Sequence, residues 1–184
     1  LSAWKTLSSS YIFKTPFGNL REDICELPDG QVIESYYVNE YTDWVNAIVL
    51  TKEQQIILVS QYRYAGQNIF LEIPAGKPEG QESYQEAIIR EVQEETGYTT
   101  DRDPVLLGQF YVNPATQTNK VYTYLLLDTY KTSDQHLDPT EFIDVHTFDF
   151  KEMHSLIKNG EIQQLFTANA YYMALDFLKE YAVK

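Results

Sequence analysis

The sequence predicts an α/β sandwich behind a short antiparallel β-meander. Three observations predict it: apolar runs punctuated by turn residues through the first half, one sharply capped helix in the middle, and an apolar-rich helix at the end. With 184 residues, 43% of them hydrophobic, the chain suffices for one compact domain with a full core and a small extension.

Residues 9–18, 20–27 and 31–39 read as three short strands, separated by Gly18-Asn19 and by Pro28-Asp29-Gly30, both strong turn signals. They form the expected N-terminal extension, residues 1–42, ahead of a main domain over 43–184. Apolar strands follow from Trp44 to Leu50 and from Gln55 to Tyr62, joined by Lys52-Glu53-Gln54, and a strand from Asn68 to Ile73 leads into Pro74-Ala75-Gly76. Ser83 with Glu86 three residues later is a capping box, so a helix begins near Tyr84, and Gly97 supplies the left-handed residue that closes it. Tyr84, Ala87, Ile88 and Val92 recur at three- and four-residue steps, giving that helix one apolar stripe to lay on a sheet. Strands from Val105 to Val112 and from Val121 to Asp128 flank the loop NPATQTN, and residues 142–148 give another. Asp149 caps a helix over 151–158 that stops at Asn159-Gly160, and the last helix runs from about Ala168 to Tyr181.

Charge and composition exclude several classes. A net charge of −13 argues against binding nucleic acid, whose affinity rests on lysine and arginine meeting phosphates. Cys25 is the single cysteine, which precludes an intrachain disulfide and suits a reducing cytoplasm. No run approaches a membrane-spanning length, and LSAWKTLSSS lacks a signal-peptide core, so a soluble cytoplasmic protein with no membrane partner is expected. His136, His146 and His154 lack metal-ligand spacing.

The run from Gly76 to Tyr98, GKPEGQESYQEAIIREVQEETGY, carries the chemistry. Glu91, Glu94 and Glu95 stand at i, i+3 and i+4, about 5–6 Å apart at Cβ. Carboxylates that close repel and raise one another's pKa, so the pattern makes sense around a hard divalent cation, for which Mg²⁺ is the best fit. Arg90 reads as a guanidinium that holds a neighbouring glutamate by a forked hydrogen bond. The competing reading, a solvated acidic helix face, leaves the flanking glycines and the capping box without a reason.

Taken together, Gly76, Glu82, Arg90, Glu91, Glu94, Glu95 and Gly97 resemble the Nudix box, G-x5-E-x7-R-E-U-x-E-E-x-G-U, where U is aliphatic. Tyr98 is the one departure. The resemblance implies an α/β/α sandwich with a mixed sheet, and a site for Mg²⁺ or Mn²⁺ in an enzyme that hydrolyses a nucleoside diphosphate linked to another moiety. It implies Glu91 and Glu95 as metal ligands, Glu94 as a ligand or helper and the carbonyl of Ala75 as a further ligand, with Arg90 and Glu94 counted among the catalytic residues.

Upstream, SQYRYAGQNIFLEIPAGK resembles the segment before the box in ADP-ribose pyrophosphatases and related nucleotide-sugar hydrolases, which implies substrate-binding roles for Arg63 and Glu72. A plain ion pair is the alternative for each. Pro114, sixteen residues after Tyr98, matches a proline of the same group, although Asn113-Pro114-Ala115 replaces the frequent Ser-Pro-Gly. Late in the chain DPTEFIDV offers Asp138 and Glu141 as the residue that orients the attacking water, Glu141 being preferred. The resemblance further implies a homodimer built through the N-terminal sheet. ADP-ribose is the leading substrate, GDP-mannose or another nucleotide sugar the runner-up, and a nucleotide sensor without turnover the third reading.

Overall fold

The structure, a computed structural model, describes residues 1–182. Three antiparallel strands come first: β1 (Lys5–Thr15), β2 (Gly18–Glu26) and β3 (Val32–Glu40), in that order across a small sheet. The turn between β1 and β2 falls at Pro16-Phe17, earlier than Gly18-Asn19. Thr15 decides this, because its hydroxyl donates to the Gly18 carbonyl (2.8 Å) and accepts from the Phe17 amide (3.2 Å), closing the turn before Gly18. The turn at Pro28-Asp29-Gly30 stands as expected, with Gly30 N–H donating to Leu27 O at 3.0 Å.

The eight remaining strands form one sheet: β4 (Trp44–Thr51), β5 (Gln55–Arg63), β6 (Asn68–Glu72), β7 (Ala75–Gly76), β8 (Tyr98–Thr99), β9 (Val105–Tyr111), β10 (Lys120–Lys131) and β11 (Ile143–Asp149). The helices are α1 (Tyr84–Thr96), α2 (Met153–Lys158) and α3 (Leu165–Ala182). The main path across the sheet runs β11-β5-β4-β10-β8, with β6 on β5, β7 on β4 and β9 on β10. This is the expected α/β sandwich, and no helix among the described residues is long and apolar enough to cross a membrane.

Side-chain alternation along the central strands builds two cores. Val45, Ala47 and Val49 of β4, Ile57 of β5 and Leu126 of β10 pack with Ala87, Ile88 and Val92 of α1. Ile48 and Leu50, Ile56 and Leu58, and Leu125 go to the opposite face, against Met153 of α2 and Tyr171 and Ala174 of α3. A strand buried on both faces is apolar at most steps, which is why these segments read as apolar runs rather than alternating ones, with buried Asn46 in β4 and Thr123 in β10 as polar exceptions. Each fully buried leucine or isoleucine contributes about 1.5–3 kcal/mol.

Two compact units result: Leu1–Asp43 with Phe110–Val121, and Trp44–Gln109 with the chain from Tyr122 onward. The loop after β9 thus groups with the N-terminal sheet. Asn39 is its anchor, its N–H donating to Thr116 O (2.8 Å) and its O accepting from Thr118 N (3.1 Å).

Gly97 closes α1 as expected, with φ at 76° and its N–H on Gln93 O. A Cβ there would also collide with the Ser133 carbonyl. Gly97→Ala therefore combines left-handed strain with a backbone clash, and its cost is expected to exceed about 1 kcal/mol, read as a lowered urea midpoint at unchanged slope.

Candidate active site

The box helix is set by its caps. Ser83 Oγ accepts from Glu86 N (3.2 Å) and the Glu86 carboxylate accepts from Ser83 N (2.9 Å), the reciprocal pair the sequence predicts. With the start of α1 fixed and Ala87, Ile88 and Val92 buried on the sheet, Arg90, Glu91, Glu94 and Glu95 stand at the helix end facing the turn between β6 and α1.

Arg90 organises that end. Its Nε and Nη2 donate to the two carboxylate oxygens of Glu82 (2.8 and 3.0 Å), Nη1 donates to Glu94 (2.8 Å), and Nη2 also reaches the Lys77 carbonyl (2.9 Å). The forked partner is Glu82, eight residues upstream, so one guanidinium joins the loop to the helix. Nη1 lies 3.1 Å from Glu91 as well. Hydrogen bonding to Glu82 is the main reason the Arg90 pKa is raised further, and the cation is permanent.

Glu91 and Glu95 turn inward. Glu95 accepts from the Ala75 amide (3.1 Å) and Glu91 from the Lys77 amide (3.1 Å), so two carboxylates straddle Gly76, each tied to a neighbouring backbone N–H. The Glu91 carboxyl occupies the position a Cβ on residue 76 would take, which is the reason for glycine there. Burial pushes the Glu95 carboxyl up to about 8, with the charges of Glu91 and Glu141 adding to the rise, and burial raises Glu91 too. Glu94 is the outlying member, 42% exposed and engaged by Arg90. Among the described residues no three acidic, histidine or cysteine side chains are drawn into a closed metal cage.

Arg63 and Glu72 bind each other. Glu72 is 1% exposed and holds Arg63 through Nη2 at 2.6 Å and Nε at 3.2 Å, while the Arg63 side chain stays 44% exposed. Both thus make the ion pair that was the alternative for each, in the same neighbourhood as the glutamates: Arg63 lies in the electrostatic field of Glu95 and Glu141. Glu141 is accordingly brought to Glu95 from 46 positions along the chain. Pro114 belongs to the smaller unit, in the loop held by Asn39.

A domain model described as the NUDIX domain matches residues 41–169. The chain belongs to the Nudix family. A second model, the nucleoside diphosphate sugar hydrolase N-terminal domain, matches residues 4–39 of this Nudix hydrolase. The chain is similar to an ADP-ribose pyrophosphatase of Bacillus subtilis (strain 168), 29% identical over 90% of this chain and 89% of the relative. It is also similar to a methanol dehydrogenase activator of Bacillus methanolicus, 31% identical over 86% and 85%. A crystal structure of an ADP compounds hydrolase superposes with a TM-score of 0.86 at 19% identity, covering 98% of this chain and 96% of that one, which establishes the shared fold.

Nudix hydrolases use divalent metals, and the residues present fit one. Buried Glu95 and half-buried Glu91, set beside each other, are a hard-oxygen donor set, and the burial and like charge that raise both carboxyl pKa values are what a bound cation would offset. Glu82 as the Arg90 fork and the loop amides of Ala75 and Lys77 went unassigned in the sequence. The regular seven-residue interval from Glu82 to Arg90 was a signal for the first, whereas the amides carry none.

Two outcomes follow from this geometry. Gly76→Ala is expected to keep the fold, since the atom displaced is the end of a flexible side chain, yet to weaken Mn²⁺ binding at least tenfold by calorimetry. Because Glu95 binds its proton more tightly folded than unfolded, metal-free stability falls as pH climbs from about 4.5 to about 8. Glu95→Gln removes that fall: in EDTA its melting temperature is expected to exceed wild type by about 4 °C or more at pH 8.5 and to match it near pH 4.5.

Proposed function

We propose that this Nudix hydrolase is Mg²⁺-dependent and cleaves the diphosphate of a nucleoside diphosphate sugar, with ADP-ribose, converted to AMP and ribose 5-phosphate, as the preferred substrate. The observation that carries the reading is the pair of carboxylates, buried Glu95 and half-buried Glu91, held by loop amides on either side of Gly76. The substrate class is supported by the N-terminal domain match over residues 4–39 and by the similarity to an ADP-ribose pyrophosphatase along nine-tenths of the chain.

Glu91 and Glu95, with the Ala75 carbonyl and with Glu94 as a further ligand or helper, would hold the cation, and Mn²⁺ would fit the same oxygens. When bound it supplies charge neutralisation on the diphosphate and a lowered pKa for water. The protein's part is positioning. Arg90 keeps Glu94 and Glu91 in place by holding them and Glu82 from one side. Arg63, aimed by buried Glu72, offers a guanidinium to phosphate oxygens, the cation an otherwise acidic chain needs. Glu141, facing Glu95 and Arg63, orients water for attack on phosphorus while the other phosphate leaves as a monoester. Pro114 keeps the substrate-binding role that the family resemblance implies.

A homodimer is part of the proposal. β1 is exposed along its whole length while carrying Leu7, Tyr11, Ile12 and Phe13, each 43% exposed or more. An exposed strand with that apolar content suits a subunit interface.

With Mg²⁺ and a panel of ADP-ribose, ADP-glucose, GDP-mannose, UDP-glucose, diadenosine polyphosphates and dNTPs, phosphatase-coupled release is expected to be fastest for ADP-ribose. GDP-mannose leading would select the runner-up substrate, and binding without cleavage of any compound would select the sensor. Glu94→Gln and Glu95→Gln are each expected to lower kcat by at least a hundredfold with folding retained, and wild-type rates in both would sink the site. Sedimentation is expected to give about twice the 21.4 kDa chain mass.

A further inference from the structure

Gln135, in the segment between β10 and β11, touches neither a metal-site carboxylate nor the Arg63–Glu72 pair. Its side-chain amide nitrogen nevertheless donates to two carbonyls at once, Glu95 O at 2.7 Å and Ile143 O at 3.0 Å. Both partners only accept, so the NH₂ group and not the amide oxygen must face them. Glu95 lies in the last turn of α1, where carbonyls have no partner within the helix. Ile143 opens β11, two residues after Glu141.

We propose that Gln135 is a positioning residue that clamps the Glu141-bearing loop onto the metal-binding end of α1. The entry of the loop is already on the helix: Thr132 N donates to Gly97 O (2.9 Å) and His136 N to Glu94 O (2.9 Å). Gln135 ties the exit to that same place, since one hydrogen of its amide takes the helix and the other takes the strand that follows Glu141. The glutamate therefore approaches Glu95 from a loop closed at both ends. Within the loop the Glu141 carboxylate accepts from Asp138 N (3.1 Å) and Glu141 N donates to Asp138 O (2.9 Å), making a stiff turn for the clamp to carry. Sequence reading does not find Gln135, whose two partners lie 40 and 8 positions away.

The inference rests on the reading of Glu141 as the water-orienting residue, and the test separates the two. Gln135→Met keeps the length and removes both donors. For the best substrate of the panel it is expected to lower kcat about tenfold with KM within threefold of wild type and Mn²⁺ affinity within threefold. The double variant with Glu141→Gln is expected to be no slower than Glu141→Gln alone, because a misplaced carboxylate and an absent one are the same loss. Independently of turnover, hydrogen exchange at the His136 and Glu141 amides is expected to rise at least tenfold in Gln135→Met. In the unaltered protein both Gln135 side-chain amide protons are expected to exchange at least tenfold more slowly than those of exposed Gln54, so the clamp is testable even if the variant fails to fold. Rapid exchange of the Gln135 amide, wild-type kcat in Gln135→Met beside an impaired Glu141→Gln, or multiplying effects in the double variant would each overturn the clamp. Wild-type kcat in Glu141→Gln would instead overturn the role of Glu141.

Discussion

Two carboxylates set beside each other, one buried and one half-buried, are the constraint from which the rest of the larger unit takes its form. Glu91 and Glu95 are desolvated, close in charge and placed on one helix face, an arrangement that raises both carboxyl pKa values. The surroundings are arranged to tolerate it. Loop amides from Ala75 and Lys77 reach them, residue 76 gives up its side chain so that Glu91 can fit, and Arg90 places a permanent cation against the outer side. A metal would complete the same charge balance from the inner side.

That constraint explains why the fold around the site is so regular. The helix must start at one residue and end at another for Arg90, Glu91, Glu94 and Glu95 to stand beside the loop, and it is capped at both ends. The loop must be held at a fixed height over the helix, and β7 fastens it to central β4 through Asn46–Ala75 and Val45–Gly76 pairing. β4 is buried from Val45 to Thr51 and packed by an apolar core on each face, so the loop is fastened to a strand held from both sides. Positioning of this kind matters in phosphoryl chemistry, where the protein mostly places charges rather than forming bonds.

Much of this was legible in the chain. Ser83, Glu86 and Gly97 are local signals, acting within one helical turn of the groups they cap, and the helix boundaries follow from them. The two-sided burial of β4, β5 and β10 shows as apolar runs, with Asn46 and Thr123 as buried polar exceptions. The turn after β1 was misplaced because Gly18-Asn19 is a strong general signal, while a hydroxyl on Thr15 closes the turn two residues sooner. Glu72 and Arg63 were recognised singly, and their mutual ion pair was invisible since it depends on the β5–β6 register that sets Arg63 opposite Asn68 and Val59 opposite Glu72.

By itself the sequence determined the α/β class, the box helix with its caps, and the spacing of the acidic set along that helix, because each is encoded by residues a few positions apart. The tertiary structure decided which glutamates turn inward, that Glu141 comes within the electrostatic reach of Glu95, and that Gln135 bridges α1 to β11. Those contacts join segments far apart in the chain, and only the packing of strands and helices sets the distances between them.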